Sequence, residues 1–204
     1  YGEEEEHDWD ADFFTGRIPV YQGDVRALDR ILQHTLNYML QTTEESAYRS
    51  EVLLATDFII RYGEPGYGVV NYDLASLANW LLTHHLASRD VTTTILAGDE
   101  GVQPTSYPHD DTLSPANLRD AMVRDSGIAV YLTLGVTNTM YRAVWVEDVR
   151  DDGIPSEGEV VHEPLIASSE LAALERTKPG FAYVMSPMGG AFTYPDSLAY
   201  RMLL

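Results

Sequence analysis

Residues 128–149, IAVYLTLGVTNTMYRAVWVEDV, carry the stretch whose interpretation sets the expected fold class. Two runs, 128–136 and 140–149, are rich in Val, Tyr and Trp, which suit a pleated and half-buried surface. Between them lies the polar triplet Thr137-Asn138-Thr139. Strand, short polar turn, strand is the pattern of an antiparallel hairpin. Downstream, Asp151-Asp152-Gly153 marks a turn and 159–162 a short strand. Ser168 or Ser169 opens a short helix through Arg176, and 181–185 is another strand. Pro187, Gly189, Gly190 and Pro195 make the C-terminal part irregular.

Upstream of the hairpin, Ser114 followed by Pro115 predicts a helix start, with the helix running to Asp125 and stopping at Gly127. Residues 91–97 are Thr-rich and β-branched and predict a strand, and 98–113 form a loop. The first half is different in character. Asp24 is a good N-cap, and Leu28, Ile31, Leu32, Leu36, Met39 and Leu40 recur at helical spacing. Thr42 and Glu45 form a capping-box pattern that predicts a second helix, with Tyr48, Val52, Ala55, Ile59 and Tyr62 on one side and Gly63 and Pro65 ending it. Asp73 caps a third, carrying Leu74, Leu77, Leu81, Leu82 and Leu86.

Runs of helices followed by runs of strands point to an α+β fold. The expectation is an N-terminal helical half of three helices, then a mostly antiparallel β half with two additional helices. Residues 1–20 are expected to be an acidic extended arm, and 21–204 a single domain with a helical part at 24–88 and a β-rich part at 91–204.

Charge is the strongest compositional feature. The 204 residues carry a formal net charge of −19. Seven of the acids fall within the first twelve residues, and the rest of the chain is acidic as well. Lys178 is the only lysine beside 12 arginines. Phosphate backbones are bound by clustered cations that release counterions, so nucleic-acid binding and docking on anionic membranes are not expected. The acidity fits three origins: a high-salt habitat, an Arg-favouring genome, or a surface meant to repel nucleic acid or meet a basic partner. Cysteine is absent. That excludes disulfides, thiolate nucleophiles and Cys-based metal sites. No apolar run approaches the ~18 residues of a membrane span.

Candidate chemistry is sparse. His84 and His85 are adjacent, which sends their side chains about 100° apart on a helix and away from a shared metal. His34 lies on an amphipathic helix as a rim residue. His109-Asp110-Asp111, in the 98–113 loop, is the one triplet that could offer ligands to a hard cation, and it supports an alternative reading as a divergent metal-dependent hydrolase. Gly66-Tyr67-Gly68 follows a predicted helix rather than a strand, with Asn71 where a third glycine belongs, and so fails as a dinucleotide loop. Ser186 precedes a proline that removes an oxyanion-hole N–H. Glu147 and Asp148 are the expected semi-buried acids. No cofactor is expected.

Thirteen tyrosines suggest a different role, because Tyr is large, rigid and amphipathic and favours protein interfaces. Trp9, Phe13, Phe14, Tyr67, Tyr194 and Tyr200 are the candidate interface residues. The function expected is therefore structural: an assembly protein that binds protein subunits as a homo-oligomer, in concrete form a virion or capsid component or a segment of a larger shell protein. An acidic regulatory module of a halophile, binding one basic protein, is a further alternative. The chain is not expected to be an enzyme, and its location, virion or cytoplasmic, is left open.

Overall fold

The run Val52-Leu53-Leu54-Ala55 is apolar at every position. In the computed structural model of the chain it forms the middle of a sheet. The structure describes residues 21, 23–64, 68–171, 173–174, 178, 180–185 and 194–203, and of 61–64 and 68–70 the backbone only. A strand covered on both faces needs apolar side chains at consecutive positions, whereas a surface helix needs them every three or four. Here Leu53 and Ala55 enter one core cluster, while Val52 and Leu54 enter another on the opposite face.

The elements in chain order are α1 (Val25–Leu40), β1 (Glu51–Thr56), β2 (Phe58–Glu64), β3 (Gly68–Asp73), α2 (Ala75–Leu81), β4 (Thr92–Ala97), β5 (Asp111–Thr112), α3 (Pro115–Val123), β6 (Ile128–Leu132), β7 (Leu134–Val136), β8 (Thr139–Trp145), β9 (Val160–Ala167), α4 (Ser168–Leu171), β10 (Phe181–Met185) and α5 (Leu198–Leu203). Among the described residues five strands form the main sheet in the order β10-β6-β1-β4-β5, and every pairing is parallel. The chain lays down β1, β4 and β5 in one direction. It then crosses by α3 to the other side of β1 and continues outward with β6 and β10. This is a doubly wound α/β sheet whose direction reverses between β1 and β6. Helices cover both faces. Leu118, Ala121 and Met122 of α3, Leu171 of α4 and Leu198 of α5 pack on the Leu53 face. Ala78 of α2, with Leu82 and Leu86 beyond it, packs on the Val52 face.

Two smaller sheets sit above the carboxyl ends of the main strands. The β2–β3 hairpin lays Phe58 and Ile60 against Ala143, Trp145 and Val160 of the antiparallel β7-β8-β9 sheet.

The α+β expectation is thus corrected in two places. The N-terminal block of three helices does not exist: α1 and α2 form, but strands begin at Glu51 between them. The Thr42–Glu45 capping box does form, with Thr42 N–H donating to Glu45 Oε2 at 2.9 Å and Glu45 N–H donating to Thr42 Oγ1 at 3.3 Å. It opens only a turn and the 3₁₀ segment Ala47–Ser50. The mostly antiparallel β half is the second correction. The Thr137-Asn138 turn joins β7 to β8 as a hairpin, but residues 128–132 leave it and pair in parallel with β1 and β10. One apolar run serves two sheets, divided at Thr133, which is buried. The C-terminal part called irregular contains α5, and the expected arm at 1–20 lies outside the described residues.

Candidate functional site

The carboxyl ends of β1, β4 and β6 bring Asp57, Gly98 and Thr133 together at the reversal point, where doubly wound sheets take ligands. In this chain β8 lies across that crevice. Asp57 Oδ2 accepts a hydrogen bond from the Ala143 N–H at 2.6 Å. Gly98 leaves room for the other oxygen, since a Cβ there would sit 2.8 Å from Asp57 Oδ1. Burial pushes the Asp57 carboxyl up to about 7, against the downward pull of the Ala143 and Phe58 N–H groups and of Arg142.

Arg142 is 8% exposed and ties four segments together. Its Nε and Nη2 donate to Glu163 Oε2 at 2.8 and 2.6 Å, and Nη1 donates to the Leu113 carbonyl at 2.9 Å. Nη1 also pairs with Glu100 at 2.6 Å. Between these groups lies a cavity of about 10 Å³ lined by Asp57, Asn71, Gln103, Arg142 and Trp145 among others. That volume is the lower limit for one water molecule. The Trp145 Nε1–H, which is buried, and the Asn71 Oδ1 have no hydrogen-bond partner in the structure. A second cavity of about 120 Å³ opens at the amino edge beside Glu51, Arg124 and Ser126. Its side chains bring together neither a nucleophile–base pair nor a set of metal ligands.

The sequence candidates separate. His109 Nδ1 lies 2.9 Å from the Tyr107 carbonyl and Nε2 lies 3.2 Å from Asp99 Oδ2. Both ring nitrogens face oxygen atoms, so the ring is oriented by structural hydrogen bonds at its two ends. The Tyr107 carbonyl, then Asp99 and Asp110, raise its pKa against burial. Burial works to raise the Asp99 carboxyl, and the Thr112 hydroxyl and His109 outweigh it, leaving it lowered. Asp110 Oδ2 accepts from Ile95 N–H at 2.8 Å, and Asp111 Oδ1 accepts from Thr112 N–H and Asn117 Nδ2. The triplet is thus divided among three structural tasks. Among the described residues no group of three or more His, Asp and Glu side chains could hold a metal ion. His84 Nδ1 lies 3.0 Å from the Trp80 carbonyl, and its ring stacks on Trp80.

The buried acids are also others than expected. Glu147 is exposed and Asp148 half-buried, with Asp148 accepting from Gly153 N–H at 2.8 Å within its turn. Among the described residues the buried ones are Asp57 and Glu159, the latter fixing its own loop through the Val149 and Ser156 N–H groups.

Of the candidate interface residues, Trp9, Phe13, Phe14 and Tyr67 lie outside the described residues. Tyr194 is exposed. Tyr200 is not on the surface: it is 4% exposed, packed among Ala27 and Ile31 and edge-on to Tyr21 at 4.7 Å. Its place on α5 faces it into the α1 contact.

A larger apolar surface lies on α1 and β10. At 100° per residue, Val25, Leu28, Leu32, Leu36 and Met39 form one stripe of α1, and Ala27, Ile31 and Tyr38 form another roughly a third of a turn away. The helix rests on the second. The first is left outside, with Leu36 50%, Met39 71% and the neighbouring Leu40 78% exposed. On the main sheet, Ile128 and Phe181 continue the face of Val52, and Val130 and Tyr183 that of Leu54. Phe181 and Tyr183 are about 60% exposed on this face, beyond the reach of α2. The helix and the strand meet where Tyr38, on the inner stripe of α1, packs edge-on to Phe181 at 5.3 Å. The sequence shows the amphipathic spacing of α1, but spacing alone assigns that stripe to the chain's own core.

The fold defines the class as far as it goes: a doubly wound α/β domain whose reversal crevice is filled by its own β8. No protein-family model matches the chain, and no curated protein matches its sequence. Among the described residues no helix is long and apolar enough to cross a membrane.

Proposed function

We propose that this chain is an assembly subunit, acting by binding protein through the surface of α1 and β10. The observations that carry the reading are the outward apolar stripe of α1 and the uncovered sheet face at Phe181 and Tyr183, on two elements that touch at Tyr38 and Phe181. Contiguous exposed apolar surface on a soluble domain marks an interaction site. Its setting strengthens the reading: on a chain of net charge −19, the strand Phe181–Met185 carries no charge at all. In concrete form the subunit belongs to a virion, a capsid or a larger shell protein, where the acidic remainder keeps phosphate backbones off the wall. Self-association makes it a homo-oligomer.

The test is particle mass by light scattering across a concentration series, at low and at molar salt. The chain mass is 22.8 kDa, and a mass of twice this or more, retained at molar salt, is expected, because salt screens repulsion between the acidic copies and leaves apolar contact intact. A particle of one chain mass at every concentration and salt would sink self-assembly.

A further inference from the structure

We infer that two copies of this chain join edge to edge along β10, antiparallel about a two-fold axis at Tyr183, fusing two five-stranded sheets into one. This rests on the assembly reading and names its partner and seam. The backbone supplies the first reason. Phe181 N–H donates to the Gly127 carbonyl beside β6 at 2.8 Å. In a parallel ladder each residue turns its N–H and C=O to one neighbour, and the next residue turns them to the other side. Phe181, Tyr183 and Met185 therefore face β6, and Ala182 and Val184 face outward. Among the described residues no strand pairs with that side of β10.

The second reason is the sequence of the edge strand itself. Sheet edges in monomers are blunted by shortness, charge, proline or bulges. The opposite edge, β5, is two residues long and begins with Asp111. β10 reads Phe-Ala-Tyr-Val-Met and has none of these devices.

The third reason is self-complementarity. A two-fold at Tyr183 sets Ala182 opposite Val184 of the second copy, and Val184 opposite its Ala182, as hydrogen-bonded pairs. The outward N–H and C=O groups of both residues are thereby satisfied on both chains. Tyr183 meets its own counterpart in the close, non-hydrogen-bonded position. Such an isologous contact closes as a pair and does not propagate. Charge permits this seam, because two copies of net charge −19 repel wherever carboxylates approach, and β10 brings none to the contact.

The chain has no cysteine, so a single introduced thiol reports cleanly. Tyr183→Cys places two sulfurs across a pair with Cα atoms about 4.5 Å apart, within the range a disulfide spans. Mild oxidation of the full chain is expected to give a covalent dimer, with Tyr72→Cys, equally exposed on β3, as the control that does not. Ala182→Pro removes an outward N–H and leaves the β6 ladder intact. It is expected to weaken self-association at least about tenfold, about 1.4 kcal/mol. If that variant fails to fold by circular dichroism, Tyr183→Lys does the same work by setting like charges opposite each other. A wild-type chain that associates while Tyr183→Cys cross-links no faster than Tyr72→Cys, and the seam variants associate normally, overturns the β10 seam and leaves the assembly reading standing. A wild-type chain that stays monomeric overturns both.

Discussion

The Asp57 carboxylate accepts a 2.6 Å hydrogen bond from the backbone N–H of Ala143, joining the end of β1 to the middle of β8 across 86 residues of sequence. One buried side chain thus fastens the upper sheet to the parallel sheet, at the position where other doubly wound domains leave a crevice open.

Burial raises the Asp57 pKa to about 7 from the ordinary 3.8. The folded state therefore holds this proton more tightly than the unfolded chain. Its contribution to stability is full below about pH 3.8 and is lost as pH rises through 7, by at most about 4 kcal/mol. Asp57→Asn removes that titration. Urea unfolding at pH 5 and pH 8.5 should show a smaller loss of stability between the two for Asp57→Asn than for wild type. An equal loss would place the wild-type titration elsewhere.

Arg142 is the second fastening. Replacing it with Met leaves the Leu113 carbonyl without its donor and releases Glu100 and Glu163 from a shared cation. The expected cost is about 1–3 kcal/mol in equilibrium unfolding, from the unsatisfied buried carbonyl, since both carboxylates are half-exposed. Arg142→Lys should recover only part, because one ammonium cannot reproduce the fork to Glu163 together with the bond to Leu113.

Gly98 is required by the closeness of Asp57. In Gly98→Ala the new methyl comes within 2.8 Å of Oδ1, so the carboxylate or the β4 end must move, at about 1–3 kcal/mol. Combined with Asp57→Ala the cost should be clearly less than additive, since the clash then disappears. Additive costs in the double-mutant cycle would mean that strain arises against Phe58 instead.

On α1, Leu36→Lys with Met39→Lys changes only exposed positions. Stability should stay within about 1 kcal/mol of wild type, while any assembly measured by light scattering weakens. Loss of stability without loss of assembly would show that the stripe is packed within the subunit.

Much of the local structure was legible in the residues. Asp24 caps α1 by accepting from the Arg26 and Ala27 N–H groups, Ser114 caps α3 by accepting from Asn117 N–H, and β10 spans the residues expected of it. The failures have one cause. Val52 and Ala55 lie three apart and fit a helical face, but Leu53 and Leu54 between them are equally apolar, which is the mark of a strand covered on both sides. Helical spacing alone assigns 51–56 to a helix, whereas the continuous apolar run makes it β1, the centre of the parallel sheet. For the triplet His109-Asp110-Asp111, adjacency in sequence said nothing of the hydrogen bonds to Ile95, Tyr107 and Asn117 that its members make.

The sequence by itself determined the charge, the exclusion of cysteine chemistry, the caps and turns, and the places of most strands, because these depend on residue type and on neighbours within a few positions. Tertiary structure alone decided which strands pair, that Asp57 and Glu159 are acids taken out of water, and that the apolar stripe of α1 points away from its own core. Those depend on what lies opposite a side chain in space, and the spacing of residues along the chain is the same whether an apolar face meets its own sheet or another molecule.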